Sequence, residues 1–431
     1  MIEIPDILYP LFLEHPAVST DSRHIQPGSL FIALKGDSFN GNEFATRALA
    51  EGAAYAIVDE AKYAVDERFI LVRDGLSTLQ SLAGYHRLQF DIPVIAITGS
   101  NGKTTTKELV LDVLSKKFRT LATRGNLNNN IGVPLTLLQI TSETELAVIE
   151  MGANHPGEID LLCKIARPGY GLITNIGKAH LDGFGGYEGV IKAKTELYRF
   201  LQSVNGKVFL NTDDELLKKH ATGLDVINYG SFPAEIVPSC LTADPFVAME
   251  IQPRDQRKFK IKSQLYGRYN VDNVLAAVCI GHYFGVSNQQ IRTAIKDYRP
   301  DNNRSQIVRT KRNLLILDAY NANPSSMEAA IRNFAGSDYP QKTVILGDML
   351  ELGAESDKEH LFILDLINHM PLRHIYLVGP VFTKLNKKRE FICFQDSDLA
   401  RIWFEHHQIE NSTVLIKGSR GIHLEKLVEF L

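Results

Sequence analysis

Residues 93–106 read Pro-Val-Ile-Ala-Ile-Thr-Gly-Ser-Asn-Gly-Lys-Thr-Thr-Thr, and this stretch decides the fold. The run Val94-Ile-Ala-Ile97 is apolar and β-branched. A strand buried on both faces of a parallel sheet has that composition. Glycines follow at 99 and 102, and a helical pattern runs from Thr105 to Lys116. Strand, Gly-rich turn and helix in that order bring backbone N–H groups to a helix N-terminus, where phosphate oxygens bind. In such a loop Gly99, Ser100, Asn101, Gly102, Lys103, Thr104 and Thr105 surround a nucleotide. Lys103 suits the β- and γ-phosphates, and the Thr104 hydroxyl suits Mg²⁺. The general pattern G-x-x-x-x-G-K-[ST] places glycine where this chain has Ile97, so the loop is a variant that starts at Gly99. The competing reading is a chance Gly-rich turn. The flanking strand and helix weigh against it.

Working outward, Leu146-Ala-Val-Ile-Glu150 and Gly171-Leu-Ile-Thr174 read as further buried strands. Residues 206–265 carry short alternating runs such as Lys258-Phe-Lys-Ile-Lys262, the pattern of an antiparallel patch. Upstream, Ser29–Leu34 and Ala54–Val58 read as strands with a helix over Phe44–Ala53. Downstream, Leu314–Leu317, Thr343–Leu346, His374–Val378 and Thr413–Ile416 are strand-like runs separated by helical stretches, a second doubly wound pattern. Asp297–Asn303 reads as a linker. The fold expected is α/β in three domains. They are a small N-terminal α/β domain at 1–88, a central P-loop parallel-sheet ATPase domain at 89–300 and a C-terminal Rossmann-like domain at 301–431.

Bulk properties exclude several function classes. At 431 residues the chain exceeds one hydrophobic core. Its formal charge of −3 invites neither nucleic acid nor an anionic membrane. No apolar run approaches the roughly 20 residues needed to span a bilayer. The N-terminal MIEIPDILYPLFLEHP is acidic and carries prolines, unlike a signal peptide. Cys163, Cys240, Cys279 and Cys393 are far apart and form neither a disulfide framework nor a zinc motif. A reduced, cytoplasmic setting fits.

Individual side chains leave alternatives open. Glu150, at a strand tip, is either a Mg²⁺ ligand or a solvated acid. A lone His180 is more often structural than functional. Lys194 on a helix reads as a surface lysine. Asn270 and Asn273 read as N-caps of an apolar helix. Three polar loops end C-terminal strands: Asp318-Ala-Tyr-Asn-Ala-Asn-Pro324, Leu346-Gly-Asp-Met-Leu-Glu-Leu-Gly353 and Lys417-Gly-Ser-Arg-Gly421. Together they form a site-like constellation.

The combination resembles the Mur ligases. The resemblance rests on Thr98–Thr104, Glu150-Met-Gly-Ala-Asn154, Asn175 with His180, Lys194, Tyr269-Asn-Val-Asp-Asn273 and Asp318–Pro324. Also similar are Thr20-Asp-Ser-Arg23, Gly125–Leu138, Gly152–Ile159, His180–Gly185, Leu346–Ala354 and Lys417–Arg420. It implies ATP-dependent amide-bond formation in peptidoglycan precursor synthesis. The small-molecule substrates implied are UDP-N-acetylmuramoyl-tripeptide and D-alanyl-D-alanine, with no nucleic acid and a monomeric enzyme. The three domains would hold the UDP precursor, ATP and the incoming dipeptide. The resemblance makes Thr104, Glu150, His180 and Lys194 ligands of Mg²⁺, with Lys194 carbamylated by CO₂, and Lys103 catalytic. It puts Asn273, Arg304, Asp318 and Tyr320 around the nucleotide. Ser22, Arg23 and Gly36 fall at the uridine end, and Arg124, Asn126 and Asn128 along the muramoyl-peptide. Asn323, Ser326, Lys417, Ser419 and Arg420 face dipeptide or ATP. Lys178 receives no role. The alternatives are another ligase of the superfamily, such as a folylpolyglutamate type, and a P-loop switch NTPase.

Overall fold

The computed structural model describes residues 4–231, 233–243, 245–254, 257–301, 303–386 and 391–431. Three sheets organise the chain. The first is a four-stranded parallel sheet of β1 (Val18–Ser19), β2 (Leu30–Ile32), β3 (Tyr55–Val58) and β4 (Phe69–Leu71), in that order. The sequence pattern exposes β2 and β3. It misses β1 and β4, which are too short to show a period.

The central sheet has nine strands: β5 (Val94–Thr98), β6 (Thr120–Ala122), β7 (Leu146–Glu150), β8 (Tyr170–Ile173), β9 (Lys207–Asn211), β10 (Asp225–Tyr229), β11 (Ile236–Thr242), β12 (Phe246–Pro253) and β13 (Phe259–Tyr266). Their order is β13-β12-β11-β10-β9-β8-β5-β7-β6. The pairs from β6 to β11 are parallel, and β11, β12 and β13 are antiparallel. The antiparallel patch expected over 206–265 holds only for β11, β12 and β13; β9 and β10 pair in parallel, and the antiparallel strands extend the same sheet. Along β5, Val94 and Ala96 join the core on one face, and Ile95 and Ile97 join the core on the other. All four are fully buried. Val94, Ile95 and Ile97 each contribute about 1.5–3 kcal/mol by burial, which is why this strand has no polar face.

The C-terminal sheet comprises β14 (Gln306–Arg309), β15 (Leu314–Asp318), β16 (Lys342–Gly347), β17 (His374–Val378), β18 (Ile392–Phe394) and β19 (Thr413–Lys417). The order is β14-β15-β19-β16-β17-β18, parallel except for the edge strand β14. The fold is thus the three-domain α/β architecture that the sequence predicts. Of the expected linker, Asp297 closes a helix, and residue 302 lies outside the described residues. Cys163, Cys279 and Cys393 are free, while the side chain of Cys240 lies outside the described residues.

Helix α1 (Lys103–Leu114) begins two residues earlier than the pattern predicts, because Gly102 takes a left-handed conformation (φ 78°) and starts it. Gly99 explains the Ile97 departure. Ile97 is a buried strand residue that pairs with Glu150 and Leu172, so the turn starts only after Thr98. At Gly99, φ is 143°, and a Cβ would stand 2.0 Å from Thr174 Oγ1. Gly99→Ala is therefore expected to destabilise the protein by about 2–4 kcal/mol, through strain and a clash that backbone must absorb. Urea unfolding checks this, and an unchanged midpoint would contradict the close approach.

Candidate active site

The P-loop is bound to the end of β8. Asn175 accepts from Ser100 N through its carbonyl (2.9 Å) and from Asn101 N through Oδ1 (3.0 Å). Asn101 O in turn accepts from Thr174 Oγ1 (2.6 Å) and Asn175 Nδ2 (3.0 Å). Ser100 Oγ donates to Gly177 O and accepts from Gly177 N. Lys103 Nζ donates to Gly99 O (2.7 Å). Burial lowers its pKa to about 8, the nearby Glu150 charge raises it and that of Arg304 lowers it again.

Ser100, Asn101, Lys103 and Asn175 line a cavity of about 600 Å³ between the central and C-terminal domains. Glu150 stands at the tip of β7 and is 1% exposed. Its Oε1 accepts from Thr104 Oγ1 (3.1 Å) and Asn128 Nδ2 (2.7 Å), while its Oε2 is buried with no partner. A buried carboxylate oxygen left over beside a threonine hydroxyl fits a hard cation. Among the described residues, no three His, Cys, Asp or Glu side chains gather into a metal cluster. Mg²⁺ needs no such cage, since it keeps waters and phosphate oxygens as ligands.

Lys194 ends α2 (Tyr187–Lys194) and is 1% exposed, so the surface-lysine reading fails. Its Nζ lies 5.5 Å from the centroid of the Phe184 ring and donates to Ala153 O at 3.4 Å. Burial pushes its pKa well below the usual lysine range, and Lys103 adds to the fall. An amine in that state is a nucleophile. His180, with φ 51°, lines the cavity, and its Nδ1 abuts a carboxylate oxygen of Glu351 without hydrogen-bond alignment.

The N-cap reading of Asn270 and Asn273 also fails. Asn273 Oδ1 accepts from Thr106 Oγ1 (3.0 Å), and Asn273 Nδ2 donates to Asn270 Oδ1 (2.8 Å). The Asn273 side chain closes on the P-loop: a Cβ on Gly102 would meet its Oδ1 at 2.4 Å. Asn270 Nδ2 donates to Tyr266 O and Ser305 Oγ. Arg304 stacks on Tyr320 with 3.7 Å between its guanidinium carbon and the ring centroid, and its Nε is buried without a partner. Asp318 accepts from Ser305 N through Oδ1 and from Lys417 Nζ (2.6 Å) through Oδ2. Lys417 is 2% exposed and serves as the partner of Asp318.

Asn323 and Ser326 form a capping box at the start of α3 (Pro324–Ala335). Asn323 Nδ2 still reaches the P-loop, donating to Asn101 Oδ1 (2.8 Å). Ser419 Oγ accepts from Leu350 N and donates to Ala322 O, tying strand-end loops together. Arg420 lies 5.5 Å from the Tyr320 ring. Asn126 and Asn128 line the cavity. Arg124 is exposed outside it, as are Arg23 and Gly36, and Ser22 is half-buried outside it. Arg23 pairs locally with Asp21 (2.7 Å). Of the three C-terminal loops, those at 318 and 417 line the cavity and the one at 346–353 does not.

From the sequence, Asn175 and Tyr269 stand only as motif residues without a role, and Ser305 is not singled out. Asn175 stands at a strand tip and was open to discovery by that position. Ser305 carries no sequence signal.

Three segments of the chain match Mur ligase models. Residues 16–87 match "Mur ligase family, catalytic domain", 97–281 match "Mur ligase middle domain" and 303–420 match "Mur ligase, glutamate ligase domain". The chain belongs to the Mur ligase family. It is 33% identical over 434 residues to the UDP-N-acetylmuramoyl-tripeptide–D-alanyl-D-alanine ligase of Bacillus subtilis (strain 168), covering 96% of this chain and 92% of that one. Among solved structures it is similar to MurF from Acinetobacter baumannii, with a TM-score of 0.87, 34% identity, and 96% and 92% of the two chains covered. It is also similar to MurF ligase from Thermotoga maritima in complex with ADP, with a TM-score of 0.85, 26% identity, and 100% and 98% covered.

The Asp318–Lys417 pair yields a stability prediction. Asp318→Ala leaves a buried ammonium unpaired and is expected to cost about 3–5 kcal/mol. Asp318→Ala combined with Lys417→Met is expected to recover much of that loss in urea unfolding, because the stranded charge is gone.

Proposed function

We propose that the chain joins D-alanyl-D-alanine to UDP-N-acetylmuramoyl-tripeptide with conversion of ATP to ADP and phosphate. Similarity along nearly the whole chain to ligases of that name supports the reading. The observation that carries it is the unpartnered Glu150 Oε2 beside Thr104, within a P-loop cavity closed by the C-terminal domain.

The peptide carboxylate attacks the γ-phosphorus, giving an acyl phosphate and ADP. The dipeptide amine then attacks the acyl carbon, and phosphate leaves from a tetrahedral intermediate. No protein nucleophile is needed. The chain orients reactants, balances charge and excludes water. Lys103 and the first-turn amides of α1 hold the phosphates. Thr104, Glu150, His180 and the carbamylated Lys194 would hold Mg²⁺, whose charge would offset that of the phosphates. Lys194 takes up CO₂ as a carbamate, a reaction that needs the neutral amine its burial favours. Asn273, Arg304, Asp318 and Tyr320 surround the nucleotide. Ser22, Arg23 and Gly36 contact the uridine end, and Arg124, Asn126 and Asn128 the peptide. Asn323, Ser326, Lys417, Ser419 and Arg420 support the dipeptide side mainly by fixing loops. The working units are residues 1–88 for the UDP precursor, 89–300 for ATP and 301–431 for the dipeptide. A cytoplasmic monomer fits soluble substrates, and among the described residues no helix is long and apolar enough to cross a membrane.

Phosphate release from ATP is expected only with both UDP-N-acetylmuramoyl-tripeptide and D-alanyl-D-alanine present. Release indifferent to both would indicate the switch-NTPase alternative. Lys103→Ala is expected to lower kcat by about 100-fold or more, as losing a charge-stabilising donor does. Running the assay with L-lysine and meso-diaminopimelate tripeptides assigns the third residue.

A further inference from the structure

The loop Leu346–Gly353 is the one site-like stretch outside the cavity. Asp348 is fully buried and accepts from Val381 N (2.8 Å) and Phe382 N (2.9 Å), so it caps a neighbouring helix. Glu351 points elsewhere, toward Nδ1 of His180 in the central domain. Both residues hold left-handed backbones, φ 63° and 51°, which non-glycine residues adopt rarely and at some cost. Two residues further on the fit repeats. A Cβ on Gly353 would stand 2.3 Å from Asp182 Oδ1. Glu351 and Gly353 thus match His180 and Asp182, position for position.

The same loop is held at its other end. Lys178 N donates to Ser325 Oγ (2.9 Å), and Lys178 Nζ pairs with Glu359 (2.6 Å), whose side chain is 3% exposed. Residues 178–182 therefore take much of their position from the C-terminal domain. Phe184, whose ring lies over Lys194, ends the short helix that follows.

We propose that Glu351 is a positioning residue: across the domain boundary it orients the His180 imidazole, so that Nε2 serves the phosphate cavity once the domains have closed. A carboxylate that accepts from the outer nitrogen of a functional histidine fixes its tautomer and ring orientation, and the Glu351 oxygen already abuts Nδ1 and has only to align for that bond. Here that carboxylate comes from a different domain. The histidine is then correctly presented only in the closed arrangement, which restricts phosphoryl transfer to the state that excludes water.

The kinetic arm of the test rests on the ligase reading, and the exchange arm does not. Glu351→Gln keeps the side-chain length and removes the charge. It is expected to lower kcat about tenfold, the low end for outer-shell partners, with KM for ATP within about twofold. Glu351→Asp is expected to recover part of kcat. In a His180→Ala background, Glu351→Gln is expected to add no further loss. In ligand-free protein, amide exchange across 179–184 is expected to rise about threefold or more, with the helix over Ser356–Asn368 unchanged as a fold control. Full kcat in Glu351→Gln, additive losses in the double variant, or unaltered exchange in 179–184 would overturn the proposal. Loss of ligase activity by the unsubstituted enzyme, with the exchange change intact, would count against the ligase reading alone.

Discussion

The mutual binding of the P-loop and residues 174–177 is the joint on which the site depends. Ser100 and Asn101 give their backbone amides to Asn175, and Thr174 and Asn175 return donors to Asn101. Two strand tips are thereby locked at one height. The lock is possible because β8 and β5 are parallel neighbours whose ends meet at residue 99, where only glycine leaves room for the Thr174 hydroxyl. Glu150 enters from the other neighbour, β7. The phosphate site is therefore a property of strand order, with β5 in the middle and its two partners contributing an acid and an amide. A crevice at the carboxyl ends of such strands is where an open α/β sheet binds ligands.

From that joint the chain runs directly into Gly177, Lys178 and His180, which meet the C-terminal domain at Ser325, Glu359 and Glu351. One continuous stretch thus links the nucleotide loop to the other wall of the cavity. Movement of the C-terminal domain cannot leave this segment untouched. Lys194, beneath Phe184 at the end of the same segment, is coupled to it through that ring.

What was legible in the sequence was local. The strand–turn–helix order around Gly99, the acid at a strand tip and the buried runs of the C-terminal sheet each follow from a short window with a clear period or a clear chemical type. The remainder depended on long-range packing. Lys194 reads as solvated until Phe184 and Ala153 enclose it. Asn270 has the position of a cap and Asn273 lies in the first turn, yet a neighbouring helix and the segment at Ser305 supply their partners. Lys178 acquires its role from Glu359, 181 residues away. Glu351 sits in a motif that is recognisable as a loop, but its target lies in another domain. Edge strands such as β1 and β18 are too short to carry a signal, and the sheet beside them does the work of defining them.

The passage between the central and C-terminal domains has a further meaning. Connectors between domains ordinarily tolerate insertion and exchange. This one ends in Arg304 and Ser305, the first stacked on Tyr320, the second tied to Tyr269, Asn270 and Asp318. It is wall rather than tether. A chimera that swapped the C-terminal domain for that of a relative would have to carry residues 303–306 with it and keep their register against Tyr269. Modularity in this architecture is thus limited at the seam: the C-terminal domain can be exchanged as a unit only together with part of the cavity wall.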